Sequence, residues 1–274
     1  YKGDDLYVEL LVTNRSRRKT QQLEVYDNVP HEMKLRSGLN QMRLNLKPGE
    51  SARIRYVLRC PLRGHYSIGP VSLRYRNTFN LSVDEMYVDH HSDIIIFPQI
   101  RDVEEAFIRS RTAKMYTGAT TLRTPGPGTE FYSLREYVPG DPFKNINWKA
   151  FARTGDLMIN EKCRDAVTDL YIILDSRDIA RIGTVLKNPL EMGTVAAASL
   201  ASFFLKRRDS VSLTIYDERL SFLPPDTGDK QYFKILSSLA GVAPKGTMPL
   251  QAVTNSLAAR FSRGSPVFII SSCE

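Results

Sequence analysis

One stretch of the sequence concentrates residue types that recognise other molecules. Residues 128–153 contain the only tryptophan of the chain, Trp148, and a tight turn written Pro139-Gly140-Asp141-Pro142. Aromatic rings and arginines together are typical of protein-binding surfaces. An exposed platform of this composition would recognise a partner or a ligand. The charged side chains that stand among its aromatic ones include Glu130, Arg135, Lys149 and Arg153.

The same stretch has a second interpretation, in which it only braces the fold. Arg135 would then pair with Glu130 or Asp141 and hold a connector in place. Buried polar and charged groups need such partners, so the pairing would be structural rather than functional. Three aromatic residues would be core anchors in this interpretation: Phe131, Tyr137 and Trp148.

Several catalytic motifs are absent from the sequence. It has no phosphate-binding loop, no dinucleotide-binding glycine motif, no zinc-protease motif and no hydrolase nucleophile elbow. A hydrolase that uses Glu130 and Asp141 would lack a nucleophile paired with a base. We therefore expect a protein that is not an enzyme.

The charge balance is basic, but it does not indicate a nucleic-acid site. Lys and Arg number 38 and Asp and Glu number 30, which leaves a net charge of +8. Nucleic-acid binders concentrate such charge on one face. Here the one dense cluster is Arg15-Ser16-Arg17-Arg18-Lys19, which we place at a solvated hairpin tip. We expect no nucleic-acid partner.

Residues 1–98 have the pattern of an all-β domain. Leu6, Val8, Leu10 and Val12 alternate with more polar residues, which is the period of a half-buried strand. Turn residues separate this run from two similar ones. Short strands at this spacing predict an immunoglobulin-like β-sandwich. The two similar runs are Ile54, Tyr56, Leu58 and Val71, Leu73, Tyr75.

The rest of the chain changes character twice. Residues 99–127 are predicted to form a connector, and residues 128–167 a separate segment that contains the aromatic and charged stretch. From residue 168 to 274, continuous apolar runs such as Leu170-Tyr171-Ile172-Ile173-Leu174 alternate with helical patterns. Such runs are typical of parallel strands covered on both faces. The predicted fold class is therefore α+β and multidomain, with a Rossmann-like α/β domain that we expect to be incomplete at its C-terminus.

The stretch resembles the signature of the family of domains of unknown function 58 (DUF58). The matching residues are Gly128-x-Glu130-Phe131, Leu134-Arg135-x-Tyr137-x-Pro139-Gly140-Asp141, Ile146-x-Trp148 and Ala152-Arg153. Upstream, Arg63-Gly64-x-Tyr66-x-x-Gly69-Pro70 and Asn77-x-Phe79-x-Leu81 resemble the family's β-domain, although Asn77 and Thr78 replace an aspartate and a proline. The residues that the resemblance marks for partner binding are Glu130, Phe131, Leu134, Arg135, Tyr137, Pro139, Gly140, Asp141, Trp148 and Arg153.

The resemblance carries expectations about the whole protein. Family members combine transmembrane helices, a β-rich region, the signature and a von Willebrand factor A-like domain, and they are encoded beside MoxR-type AAA+ ATPases. It implies a membrane-anchored interaction protein at the cytoplasmic face of the plasma membrane, whose anchoring segments precede this chain. Its implied role is to partner the ATPase in the assembly or maturation of other proteins.

The resemblance also allows a test for a metal site. Von Willebrand A domains that bind Mg²⁺ use D-x-S-x-S after the first strand, with further oxygen ligands from later loops. Asp175 matches the first position, but Arg177 and Ile179 stand where the two serines are expected. Arg177 would repel a divalent ion, and it would instead pair with Asp175 or Asp178.

We therefore expect no metal and no cofactor. The alternative function is divalent-metal-dependent ligand binding through a degenerate metal-ion-dependent adhesion site. Thr247 also has a structural interpretation, as the N-cap of a helix with Pro249 in its first turn. The residues that a Mg²⁺ ion would use are Asp175, Ser176, Thr247 and Asp217.

Overall fold

The computed structural model of the protein describes residues 1–76, 83–103, 122–125, 131–164, 169–262 and 265–272. Several features named above lie outside these ranges: the Asn77-x-Phe79-x-Leu81 turn, Gly128 and Glu130 of the signature, and most of the predicted connector. The strands β1 to β9 of the N-terminal part are Asp5–Thr13, Leu23–Asp27, Lys34–Gly38, Gln41–Leu44, Ser51–Arg59, Gly64–Ile68, Val71–Arg76, Val83–Val88 and Ser92–Ile96.

These nine strands form three antiparallel sheets around one apolar core. The sheet orders are β1-β5-β3, β4-β2-β7-β8 and β6-β9. The predicted alternation is confirmed in β5, where Ile54, Tyr56 and Leu58 are buried and the residues between them are more exposed. In β7 the prediction is wrong for Tyr75, which is exposed because it lies near the end of its strand. All three sheets contribute to the core through Val25, Leu44, Ile54, Tyr56, Leu58, Ile68, Val71 and Ile96.

The basic cluster at residues 15–19 does not lie at a hairpin tip, so that expectation is wrong. Strands β1 and β2, which it connects, belong to different sheets and do not pair with each other. The connection is exposed, as expected, and its path is set by Asn14. The buried Asn14 side chain accepts a hydrogen bond from the Ser16 N–H at 3.0 Å and donates to the Leu46 carbonyl at 3.0 Å.

The signature segment builds a small sheet together with a strand from the predicted connector. Strands β10 (Leu122–Pro125) and β11 (Phe131–Glu136) both pair antiparallel with β12 (Met158–Arg164). Between β11 and β12 lie a turn, a 3₁₀ turn at Phe143–Asn145 and the short helix α1 (Trp148–Thr154). This order places the signature residues on one strand–turn–helix unit.

The C-terminal part is a four-stranded mixed sheet with helices. The sheet order is β15-β14-β13-β16, in which β13 runs parallel to β14 and β16 while β15 is antiparallel. The predicted alternation of buried strands and helices is confirmed. The strands are β13 (Asp169–Asp175), β14 (Ser210–Tyr216), β15 (Leu220–Asp226) and β16 (Val267–Ile270), and the helices are α2 (Pro189–Lys206), α3 (Gly228–Ala240) and α4 (Leu250–Leu257).

Local sequence explains these elements. Every residue of β13 after Asp169 is buried, as its continuous apolar run predicts. Helix α2 begins at Pro189, and the Asn188 side chain caps it by accepting a hydrogen bond from the Glu191 N–H at 2.8 Å. Within the described residues, no helix has the length and apolar character needed to cross a membrane.

A buried arginine joins the β-rich part to the α/β part. The Arg63 Nε lies 2.9 Å from Oε1 of Glu191 on α2, and the Lys2 Nζ lies 2.5 Å from the other carboxylate oxygen. The guanidinium also reaches the C-terminal end of α3, where free carbonyls need donors. Arg63 Nη1 donates to the carbonyls of Leu239 at 2.9 Å, Ala240 at 3.1 Å and Val242 at 2.7 Å.

Candidate functional site

Arg135 holds the signature turn together. It lies on β11, and its guanidinium forms a two-pronged ion pair with Asp141, with both N–O distances at 2.7 Å. Its Nε also donates to Glu161 on β12 at 2.8 Å. The pairing of Arg135 with Asp141, one of the two anticipated from the sequence, is therefore present.

The turn itself depends on Asp141 and Gly140. The Asp141 carboxylate accepts a hydrogen bond from the Val138 N–H at 2.9 Å, and Gly140 has a φ of +111° that favours glycine. The hydrogen bonds from Arg135 and the Val138 N–H lower the pKa of Asp141 to about 2. The carboxylate is therefore ionised at neutral pH and stays bound to Arg135, which makes it unsuited to proton transfer there.

Two residues of this unit were missed in the sequence. Glu161 faces Ser133 across the β11–β12 ladder, and the Ser133 hydroxyl donates to it at 2.8 Å. Asn147 caps α1, because its side chain accepts a hydrogen bond from the Ala150 N–H at 3.0 Å. The cap was recognisable as an Asn before a helical run, whereas Glu161 follows only from the strand register.

The aromatic residues of the signature face outward. Trp148 is 61% exposed and Phe131 is 62% exposed, so the interpretation of these two as core anchors is wrong. Trp148 contacts Phe151 edge-to-face at a centroid distance of 6.2 Å, and the half-buried Tyr137 stacks on Phe143 at 6.1 Å. We call the exposed apolar residues of this unit the signature surface: Phe131, Leu134, Val138, Phe143, Trp148, Phe151 and Leu157.

Three cations are also exposed on this unit. Lys144, Lys149 and Arg153 are exposed and form no ion pair within the described part of the chain. Pro139 and Gly140 are exposed in the turn, beside the neutralised Asp141. The unit therefore presents apolar side chains and three cations, on a frame held by internal ion pairs.

A second group of sequence candidates meets at the carboxyl ends of the parallel strands. Asp175, at the end of β13, is only 3% exposed, and Arg177 binds it with Nε at 3.0 Å and Nη2 at 2.7 Å. The Ser271 hydroxyl, after β16, donates to the same carboxylate at 2.7 Å. Burial raises the pKa of Asp175. The hydrogen bonds from Arg177 and Ser271 lower the pKa by more than burial raises it, so the net shift is downward.

Two of the remaining candidate ligands, Ser176 and Asp217, are used within the protein. The Ser176 hydroxyl donates to the Tyr216 carbonyl at 3.0 Å, and the Asp217 carboxylate accepts from the Arg219 N–H at 2.8 Å. Thr247 is exposed and does not cap α4, so that interpretation is wrong. Pro249 takes the N-cap position, because its φ and ψ of −71° and 142° are extended.

These residues do not fit a Mg²⁺ ion. The Arg177 guanidinium already binds both carboxylate oxygens of Asp175. A Mg²⁺ ion would need these oxygens as ligands. Within the ranges that the structure describes, no three His, Cys, Asp or Glu side chains are close enough to share a metal. The geometry is that of an ion pair that closes the strand ends.

A metal titration tests this conclusion. We expect the melting temperature of the protein to be unchanged by Mg²⁺ or Mn²⁺, because Arg177 would have to leave Asp175 before a divalent ion could bind. A bound ion at 100-fold excess over its Kd would add about 2.7 kcal/mol to the stability. A rise in melting temperature that disappears in Asp175→Asn would show that the closed-site interpretation is wrong.

The chain is similar to proteins whose function is not described. A family model described as "Protein of unknown function DUF58" matches residues 133–273, just over half of the chain. The match begins in β11 and covers the signature unit from Ser133 onward together with nearly all of the α/β part. Uncharacterized proteins Mb1516 of Mycobacterium bovis and Rv1480 of Mycobacterium tuberculosis are each 28% identical over 76 residues, which is 28% of this chain. That match covers 24% of each relative's own length, so the chain spans about a quarter of these curated relatives.

Proposed function

The chain belongs to the DUF58 family of proteins of unknown function, and from that premise we propose that it is a non-enzymatic module that binds a protein partner through the signature surface. The observation that carries this proposal is the exposure of Trp148 and Phe131 on a braced frame. Exposed aromatic clusters on a rigid support favour binding, because little conformational entropy is lost when they become buried.

The polar residues of the signature support binding rather than catalysis. Arg135 donates to both Asp141 and Glu161, so these three side chains are engaged in ion pairs that hold the turn. Catalysis would require a nucleophile or a proton-transfer group presented to a pocket. In this unit the apolar side chains are the ones presented.

We further propose finer assignments for the two larger parts. Residues 1–98 would be an immunoglobulin-like sandwich. The α/β part would be a von Willebrand factor A-like domain, which the order of its sheet and its helices supports. The closed Asp175–Arg177 pair would make this domain a docking surface that works without a metal.

The proposed partner is a MoxR-type AAA+ ATPase. The whole protein would be anchored at the cytoplasmic face of the plasma membrane, by segments outside this chain, and would assist the ATPase in assembling or maturing other proteins. What supports this partner is the family resemblance, together with the exposed aromatic residues of the signature surface, a residue type enriched in protein contacts.

Replacing Trp148 by alanine tests the proposal. Exposed at 61%, Trp148 adds little to the stability of the fold, so the variant should keep the wild-type melting temperature. A central aromatic contact contributes about 2 kcal/mol or more to an interface, so binding should weaken at least ~30-fold. The measurement is biolayer interferometry against the purified MoxR-type ATPase of the same organism, with and without an ATP analogue.

Met192 provides a matched control for this experiment. It is 70% exposed on α2, outside the signature surface, so Met192→Ala should leave binding and stability unchanged. Equal binding by wild type and Trp148→Ala would contradict the proposal. Unfolding of Trp148→Ala would return the tryptophan to a structural role.

A further inference from the structure

Strand β1 lies at the edge of its sheet. Asp5–Thr13 pairs with β5 on one side. At the two ends of this pairing, the Asn14 N–H donates to the Glu50 carbonyl and the Cys60 N–H donates to the Asp4 carbonyl. These two bonds show which residues of β1 point their backbone groups toward β5. Even-numbered residues therefore bond toward β5, and the N–H and C=O groups of Tyr7, Glu9 and Leu11 point away from it. Across the described ranges, no backbone group pairs with that outer side.

Two cavities lie along this edge. Leu6, Val8, Leu10 and Val12 point toward the core but remain only half-buried. A cavity of about 220 Å³ lies beside Leu6–Leu10, and one of about 600 Å³ lies beside Val12. We call the two cavities together the β1 groove. Its opposite wall comes from the β6 to β9 region, through Ile68, Leu73, Tyr75, Met86, His90 and Ile94.

The groove is closed at one end and basic at the other. At the closed end, the segment before β1 bonds to the residue after β9: the Lys2 N–H donates to the Phe97 carbonyl at 2.8 Å. At the far end, Arg15 and Lys19 line the larger cavity. No ion pair within the described residues involves the cationic side chains of this loop, and Asn14 fixes its backbone. These cations are Arg15, Arg17, Arg18 and Lys19.

We propose that the β1 groove binds an extended acidic peptide segment of a protein partner, which adds to β1 as a strand. Main-chain hydrogen bonds to Tyr7, Glu9 and Leu11 would provide affinity, and alternate apolar side chains would enter the half-filled space beside Val8, Leu10 and Val12. Acidic residues at one end of the segment would meet Arg15 and Lys19. The inference rests on the proposed function as an interaction module, and it adds a surface other than the signature surface.

Other occupants fit the observations less well. A lipid headgroup or a nucleic acid would use the cations but not the row of backbone donors and acceptors along β1. A second copy of this chain would have to fit the edge of a folded sheet into the β1 groove, between β1 and the wall from the β6 to β9 region. A single strand with alternating apolar residues and an acidic end matches the backbone groups of β1, the two cavities and the loop cations together.

Labelled peptides test the inference directly. The probes are Thr-Val-Thr-Val-Thr-Val-Glu-Asp-Glu and the same peptide with its acidic residues at the N-terminus, which together cover both strand directions. The control probe has lysine in place of the acidic residues. We expect fluorescence anisotropy to show binding of one acidic peptide, at least ~10-fold tighter than the basic control, because the loop cations repel lysine.

Two sets of variants locate the site. Arg15→Glu combined with Lys19→Glu should weaken the acidic peptide at least ~10-fold, because two attractive contacts become repulsive. Leu11→Pro removes one outward N–H without breaking the ladder to β5, and should weaken binding roughly 5- to 10-fold. Leu11→Thr keeps that N–H and serves as its matched control, with a change below about 2-fold.

Three results would overturn the inference. They are no binding of either acidic peptide, binding that all the variants retain, and self-association of the protein that competes with the peptide. Vesicles of anionic lipid form a parallel arm, and binding to them that Leu11→Pro does not affect would assign the loop to a membrane instead. Trp148→Ala should leave peptide binding unchanged, so this experiment can fail while the signature proposal stands, and the reverse also holds.

Discussion

Replacing Arg63 by alanine is expected to lower the free energy of unfolding by about 3–5 kcal/mol, the range for breaking a buried ion pair. The change removes the guanidinium that pairs with Glu191, a residue of α2. The buried Glu191 carboxylate then keeps only Lys2 as a cationic partner. It also removes the donor for the carbonyls of Leu239, Ala240 and Val242.

The electrostatics of Arg63 support a large effect. Burial lowers its pKa and the neighbouring Glu191 carboxylate raises it, with burial the larger influence. The guanidinium tolerates this burial because the Glu191 carboxylate lies beside its Nε and three carbonyls accept hydrogen bonds from its Nη1. Arg63→Lys should recover only part of the loss, because an ammonium group cannot reproduce the planar fork that reaches Glu191 and the carbonyls together.

Urea unfolding measures this prediction, and Arg53 is the matched control. Arg53 is an exposed arginine whose Nε lies 3.6 Å from Glu9, and a surface pair of this kind contributes about 0–1 kcal/mol. The interpretation of Arg63 as the residue that joins the two parts requires Arg63→Ala to be clearly less stable than Arg53→Ala. Equal midpoints for the two variants would contradict it.

Replacing Asp175 by alanine is the second large expected effect. The carboxylate accepts hydrogen bonds from the Arg177 N–H and side chain and from Ser271, while it is itself 3% exposed. Its removal should cost about 3 kcal/mol, because the partly buried guanidinium and the hydroxyl both lose the Asp175 carboxylate as an acceptor. The double variant Asp175→Ala with Arg177→Ala should be less destabilised than the sum of the two single variants.

The same pair predicts a dependence of stability on pH. The pKa of Asp175 is lowered in the folded state, so its ionised form favours folding at any pH above the unfolded value of about 3.9. This contribution is lost as the pH falls below that value and through the folded pKa. Between pH 5 and pH 3, wild type should therefore lose more unfolding free energy than Asp175→Ala, as measured by urea titrations. Parallel losses would show that Asp175 does not titrate as the geometry requires.

Local pattern predicted the secondary structure of this chain well. The alternation of Ile54, Tyr56 and Leu58 and the apolar run at Leu170–Leu174 each depend on residues within a single element. Periodicity records which side of that element is apolar, and one side being apolar is enough to predict that it is buried. The helices of the α/β part were predicted for the same reason.

The candidate site was predicted only in its residue types. The pairing of Arg135 with Asp141 was anticipated because the two residues flank one turn. Glu161 was missed, because a residue across a strand ladder becomes a neighbour only when the register is known. The exposure of Trp148 was also left open, because an aromatic residue is buried or exposed according to which other element covers it.

The sequence by itself therefore determined the elements, the family signature and the chemical composition of the possible binding surfaces. The tertiary structure decided which of those residues meet: Arg63 with Glu191, Arg177 with Asp175, and the basic loop with the open edge of β1. The physical reason is the distance along the sequence over which each effect acts. Backbone propensity and hydrophobic period act over a few residues, whereas burial and ion pairing are set by chain packing between residues that are distant in sequence.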